Sequence, residues 1–188
     1  MQEIIIVSGL PRSGTSMVMQ LLEAGGLEIL TDNIRAANED NQQGYYELEI
    51  VKKLSEDDSF LKDAPGKVVK VISELLEYLP SDYAYKVVFV RRDMSEILAS
   101  QKKMLARRGK PLDGISDQEL SQLFEMSIDQ ARNWMNSQPN VDFLEINYNE
   151  LMTNARQTVE SLADFLGRNL QKEKMIAVPQ QRFYRNRG

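Results

Sequence analysis

Residues 3–26 read EIIIVSGLPRSGTSMVMQLLEAGG, and this stretch decides the fold. Ile4, Ile5, Ile6 and Val7 form a continuous β-branched run, the pattern of a strand covered on both faces. Residues 15–24 have helical spacing, with Val18, Leu21 and Leu22 on one face, and Gly25 falls where a helix ends in a glycine. Between strand and helix, Gly9 to Ser16 has the outline Gly-x-x-x-x-Gly followed by hydroxyl residues. Backbone N–H groups at a helix start lack intrahelical partners, and the helix dipole adds partial positive charge there. Such a turn suits a phosphate, and Ser13, Thr15 and Ser16 add hydroxyl donors. A nucleotide-hydrolysing loop carries Lys directly after its second Gly. Here that position is Thr15, and the only cation in the loop is Arg12.

Three more buried strands are expected at residues 67–72 (KVVKVI), 86–90 (KVVFV) and 142–146 (DFLEI), with Lys70 inside the first of them. Residues 31–44 are polar and aperiodic, a surface segment of the sort that borders a cleft, and residues 48–61 read as a helix. Asp93 with Glu96, and Ser116 with Glu119, have capping-box spacing. The helices they open run through Ile97, Leu98, Met104 and Leu105, and through Leu120, Leu123, Phe124, Ile128, Ala131 and Trp134. Val159, Leu162, Ala163 and Leu166 mark another helix, closed by Gly167. Large apolar residues at helical spacing, Met126 and Trp134 among them, are expected in the core. Strands alternating with helices imply a three-layer α/β/α domain of the P-loop type around a parallel sheet. In such sheets ligands bind beyond the carboxyl ends of the strands. The 188 residues suffice for one such domain, spanning 1–188.

Composition narrows the chemistry. A formal net charge of −5 argues against nucleic acid as the partner. The chain has no Cys, so disulfides, thiolate metal sites and Cys nucleophiles are excluded, and no His, the commonest general base. Acid–base work falls to carboxylates, Lys or Tyr. The N-terminal apolar run is too short for a signal peptide or a membrane span, and a cytoplasmic protein is expected. The basic run from Lys102 to Lys110 has two readings, a patch that attracts an anionic acceptor or helps with a cofactor and, more commonly, a solvated helix face.

Arg91-Arg92-Asp93 follows the third strand, with Ser100 two turns along the next helix, and an Arg at a strand end can clamp a phosphate. Taken with the first loop, the sequence resembles the sulfotransferases that use 3′-phosphoadenosine 5′-phosphosulfate (PAPS), in a bacterial-like branch with Arg in the loop. Pro11-Arg12-Ser13-Gly14-Thr15-Ser16 matches that family's 5′-phosphosulfate loop, Pro-Lys/Arg-Ser-Gly-Thr-Thr/Ser. Arg92-Asp93 with Ser100 matches its 3′-phosphate motif, except that Met94 replaces a Pro. Asn147-Tyr148-Asn149-Glu150-Leu151 is similar to its Tyr-Glu-Asp-Leu segment, whose Tyr lies near the adenine, and Phe183-Tyr184-Arg185 to a C-terminal Phe-x-Arg segment that meets the 3′-phosphate. Met17 stands where many members have a Trp over the adenine.

The resemblance implies a PAPS-dependent sulfotransferase acting on a hydroxyl or amine of a small-molecule, carbohydrate or peptide acceptor, with no metal. Arg12 would neutralise charge as the S–O bond breaks, Ser13, Gly14, Thr15 and Ser16 would hold the 5′-phosphate, and Arg92, Ser100 and Arg185 the 3′-phosphate, with Tyr148 near the adenine. In the cytosolic branch the second strand reads Lys-x-His and the His is the base. Here the match is Lys70-Val71-Ile72, so Lys70 remains to support the sulfonyl group while the base position is apolar. Glu47, after Tyr45-Tyr46, is the first candidate for the base and Asp32 the second. The rival readings are a small-molecule or nucleotide kinase with a degenerate loop and a non-catalytic nucleotide-binding domain.

Overall fold

The computed structural model describes residues 3–32, 46–107, 109 and 114–179. Four parallel strands, β1 (Glu3–Gly9), β2 (Val68–Lys70), β3 (Ala84–Arg91) and β4 (Val141–Asn147), form one sheet in the order β2-β1-β3-β4. The β-branched run of β1 is central because both of its edges are paired: Val7 lies opposite Lys70 on one side and Val88 on the other. Ile4 to Val7 are fully buried, as a strand covered on both faces requires.

Helices cover both faces. α1 (Thr15–Ala24), α4 (Tyr148–Thr153), α5 (Ala155–Leu166) and α6 (Lys172–Ala177) enclose one core, in which Val18, Leu21 and Leu22 meet Leu162 and Leu166 over Ile5 and Val7. On the other face, Ile97 of α2 (Met94–Arg107) and Ile128, Ala131 and Met135 of α3 (Asp117–Ser137) pack with Ile6, Val87 and Phe89. The alternation along β1 and β3 therefore supplies apolar side chains to both layers. The expected α/β class and parallel sheet match this architecture.

Several local expectations are corrected. Residues 48–61 are not an α-helix: two 3-10 turns, Glu49–Lys53 and Ser59–Asp63, bury Val51, Phe60 and Leu61 against the second core. The second strand is three residues long, ending at Lys70, and Ile72 is exposed before a further 3-10 turn, Ser73–Tyr78. At the end of α1 the left-handed residue is Gly26 (φ +95°), while Gly25 stays helical at φ −69°. Gly25 is needed for space, since a Cβ there would stand 2.8 Å from Met175 Sδ. Ser116 and Glu119 form the expected capping box, and Gly167 (φ +63°) closes α5. Leu123 and Met126 are exposed on α3, whereas Trp134 is partly buried against the core.

Among the described residues no helix is long and apolar enough to cross a membrane. In the basic run, Lys102 pairs with Asp117 at 2.5 Å with both side chains over half exposed, as a solvated face would have it. Arg185, Tyr45 and most of residues 31–44 lie outside the described residues.

Candidate active site

β1 and β3 end side by side, with Gly9 opposite Val90, so the loop after β1 and the arginines after β3 share one rim of the sheet. The loop needs its glycines for space. A Cβ on Gly9 (φ +148°) would lie 2.6 Å from the Val90 carbonyl oxygen, and one on Gly14 (φ +104°) would overlap the Tyr148 ring. Arg12 itself has φ +71°, a conformation that costs a non-glycine residue about 1 kcal/mol or more. Arg92 supports it, its Nη1 donating to the Arg12 carbonyl at 3.1 Å.

The loop opens directly onto α1. Gly14 caps this helix without a side-chain hydrogen bond, and no acid sits in its first turn. The positive end of the dipole is thus left uncompensated by any carboxylate of its own helix, as an anion site requires. Ser13 is 1% exposed and its Oγ has no hydrogen-bond partner. A Cβ on Gly9 would be 2.8 Å from that Oγ, so the hydroxyl turns inward, under the loop. A buried donor without a partner is rare, and here it is closed off from solvent. Thr15 is buried at the first position of α1.

The two anion motifs are joined by direct bonds. Arg12 Nε donates to Ser100 Oγ at 2.9 Å, across 88 residues of sequence, and Ser100 is buried on α2. Arg92 has an 8% exposed side chain; its Nε and Nη2 both meet Glu96 Oε2 at 2.8 Å. Its guanidinium lies over the Tyr148 ring, 4.5 Å from the centroid, in cation–π contact. Tyr148 is therefore sandwiched between Gly14 and Arg92, buried at 4% exposure. Beside Arg92, a cleft of about 510 Å³ opens at the carboxyl ends of β3 and β4.

The expected Asp93–Glu96 capping box is not formed in the usual way. The Asp93 N–H donates to Asn149 Oδ1 at 3.2 Å, and Glu96 turns into the protein to meet Arg92 and Asn149. Met17, at the position where many members of the resembled family have a Trp, is a buried member of the first core.

On the other side of the loop, Lys70 comes off β2 with a side chain only 9% exposed. Its ammonium donates to Ser16 Oγ at 3.1 Å and stands 3.8 Å from Glu47 Oε1. Glu47 lies in irregular chain before the first 3-10 turn, with its own carbonyl held by Thr31 Oγ1 at 2.9 Å. Next to it, Tyr46 donates to Glu23 at 2.7 Å. Burial, and then that bonded carboxylate, push the Tyr46 phenol well above its usual range, so it stays neutral. Asp32 Oδ2 accepts the Glu49 N–H at 2.6 Å, which ties down the 3-10 turn.

The rim thus gathers Arg12, Ser13, Gly14, Thr15, Ser16, Lys70, Arg92, Ser100 and Tyr148 around one loop, with Glu47 at its β2 side. Sequence reasoning missed Glu96 and Asn149. The available signal was an acid one turn after Arg92 on the helix face that also carries Ile97 and Ser100. Among the described residues no group of three carboxylates converges as a metal-ligand set.

The model of the sulfotransferase domain family matches residues 2–186. No curated protein matches in sequence. Solved structures align over most of the chain. Mouse sulfotransferase SULT7A1 complexed with PAP aligns at TM-score 0.58 and 16% identity, over 95% of this chain and 63% of that one. Retinol dehydratase with androsterone and inactive cofactor PAP aligns at TM-score 0.54 and 18% identity, again over 95% and 63%. The sulfotransferase domain from the curacin biosynthetic pathway aligns at TM-score 0.56 and 16% identity, over 96% of this chain and 78% of that domain. The chain thus spans less than two thirds of the length of the first two.

Proposed function

The chain belongs to the sulfotransferase family, and on that premise we propose that it transfers a sulfuryl group from PAPS to a hydroxyl or amine acceptor. The observation that carries this reading is the Arg12–Ser100 bond, because it brings the two anion motifs to one place from 88 residues apart. Bound PAPS supplies the sulfuryl group. Arg12, at the loop apex, offers positive charge where a bridging oxygen would become anionic, the kind of fixed field that dominates group-transfer catalysis. Ser16 and the backbone N–H groups of Gly14 and Thr15 at the N-terminus of α1, after Ser13, offer donors to the 5′-phosphate, and Arg92 with Ser100 to the 3′-phosphate.

Glu47 is the base of this proposal. It takes the acceptor's hydroxyl proton as that oxygen attacks sulfur, and the bond from sulfur to the phosphate oxygen breaks with its electron pair. Lys70 sits between Glu47 and Ser16, so one ammonium ties the base to the loop. Asp32 is not assigned to proton transfer, because its carboxylate holds the Glu49 N–H. The acceptor site is then on the β2 side of the loop, and the apolar Ile72, where the cytosolic branch has its His, is exposed two residues after Lys70. A cytoplasmic location and a single domain over the whole chain complete the reading.

The test is calorimetric titration with adenosine 3′,5′-bisphosphate and, separately, ATP with Mg²⁺. The expected result is micromolar binding of the bisphosphate, roughly −8 kcal/mol, and none of Mg-ATP. Tight binding of Mg-ATP alone overturns the sulfotransferase reading in favour of a kinase. For the base, Glu47→Gln is expected to lower turnover by about 10²–10⁴-fold with bisphosphate affinity retained. Full turnover in that variant removes Glu47 from the chemistry.

A further inference from the structure

Glu96 is 4% exposed, and an acid so deeply buried is kept only when it is paired and hydrogen-bonded. Its Oε2 accepts from Arg92 Nε and Nη2, both at 2.8 Å, and its Oε1 accepts from Asn149 Nδ2 at 3.0 Å. Asn149 uses the other half of its amide as well, Oδ1 accepting the Asp93 N–H at 3.2 Å. Only this amide orientation serves both neighbours, since the carboxylate needs a donor and the N–H an acceptor. The ring of bonds closes over three elements: the end of β3, the first turn of α2 and the first turn of α4.

The consequence falls on Arg92. An arginine side chain has many rotamers, and a phosphate clamp works only if one of them is already selected. Glu96 holds the Nε–Nη2 edge, Tyr148 lies against the face, and Nη1 meets the Arg12 carbonyl. The edge that Glu96 takes decides which way the rest of the fork turns. The chain departs here from the Tyr-Glu-Asp-Leu segment it resembles: Asn149 occupies the Glu position. A glutamate there would set a second carboxylate against Glu96 and could donate nothing to it.

We propose that Glu96 and Asn149 are a positioning pair that sets Arg92 for the cofactor's 3′-phosphate, with Asn149 matched to Glu96 by exchange of one donor and one acceptor. Neither residue touches the ligand; both act through Arg92. The proposal rests on the reading of Arg92 as a phosphate ligand.

A charge-swap cycle tests it: Glu96→Gln, Asn149→Asp and the double variant, with Arg92→Ala as reference. Each is titrated with adenosine 3′,5′-bisphosphate, assayed for KM(PAPS) and kcat, and melted thermally. Glu96→Gln removes the charge partner of Arg92, and Asn149→Asp opposes two carboxylates; each is expected to weaken bisphosphate binding about tenfold. The double variant moves the negative charge from position 96 to 149, where the new amide donates to the new carboxylate and still accepts from Arg92. Its affinity is expected back within about threefold of the parent, with the loss and recovery in KM(PAPS) rather than kcat. Should Glu96→Gln fail to fold, Asn149→Asp and the double variant carry the same comparison. Unchanged or tighter binding in the single variants, or a folded double variant no better than either, overturns the positioning pair while loss of binding in Arg92→Ala upholds the phosphate reading. Normal binding in Arg92→Ala overturns that reading, and the pair with it.

Discussion

The two sides of the phosphate loop are built differently. Toward β3, Arg92, Glu96 and Ser100 are buried, their bonds to one another, to Asn149 and to Arg12 run from 2.8 to 3.1 Å, and an aromatic ring fills the space between Gly14 and the guanidinium. Toward β2, the part-buried Lys70 ammonium donates to Ser16 at 3.1 Å and stands 3.8 Å from Glu47, whose carboxylate side chain keeps 22% exposure. The first arrangement is that of a preformed anion cradle, where rigidity reduces the cost of binding. The second leaves a carboxylate partly open to solvent, which the role of base proposed for Glu47 requires. Holding a cofactor and receiving an acceptor, the roles proposed for the two sides, place opposite demands on packing.

That contrast can be broken at either end. The largest effect is expected from Arg12→Ala, which removes the loop's only cation and its tie to Ser100. Turnover should fall about 10³-fold, and an assay showing less than a tenfold loss would move the charge stabilisation elsewhere. Gly14→Ala comes next, because its Cβ would meet Tyr148 and the backbone would be held at positive φ. A cost of about 2–4 kcal/mol is expected in denaturant unfolding. Gly66→Ala, also at positive φ but with nothing within 4 Å of its Cβ, should cost only about 1 kcal/mol. Equal losses at the two glycines would mean that the Tyr148 contact contributes nothing.

On the open side, Lys70→Met keeps the stem and removes the ammonium. Turnover is expected to drop about thirtyfold with bisphosphate binding nearly unchanged; a variant that loses binding first would place Lys70 on the cofactor side of the boundary. The smallest effect lies away from the loop, at the Arg132–Glu145 pair, which has a second bond from Nη2 at 2.6 Å. The Arg132 guanidinium holds the Glu145 carboxyl below its usual 4.5, chiefly by hydrogen bonding, with Arg91 adding to it. A depressed acid stabilises the fold above its unfolded value and ceases to do so as pH falls through the folded one. Arg132→Gln should therefore cost about 0.5 kcal/mol at neutral pH, since the pair is partly solvated. The gap to the parent should close as the pH drops below the ordinary carboxylate range, as read from melting curves taken between pH 7 and 3.

Much of the fold was legible in the chain. The buried run of β1, the loop glycines, the Ser116–Glu119 box and Gly167 each satisfy a local rule, and each stands where the pattern puts it. The failures share a cause. Residues 48–61 have enough apolar spacing to pass for a helix, but packing needs only Val51, Leu54, Phe60 and Leu61 inward, and two short turns with the residue that follows the first deliver them. Glu96 sits three residues after Asp93, so spacing alone assigns it to a cap. The buried charge of Arg92 one turn back outweighs that role, because a guanidinium out of water gains more from a carboxylate than a backbone N–H does.

By itself, the sequence determined the α/β class, the parallel sheet and the glycine-bearing turn after β1, since these follow from periodicity and turn chemistry within short windows; Arg92 and Ser100 were singled out only by the resemblance to the family's second motif. Only the tertiary structure decided which groups meet. It joined Arg12 to Ser100, set Lys70 between Ser16 and Glu47, gave Asp32 to a turn and Glu96 to Arg92. Those pairings depend on distance across the rim of the sheet, and side chains there compete for partners that lie far apart along the chain.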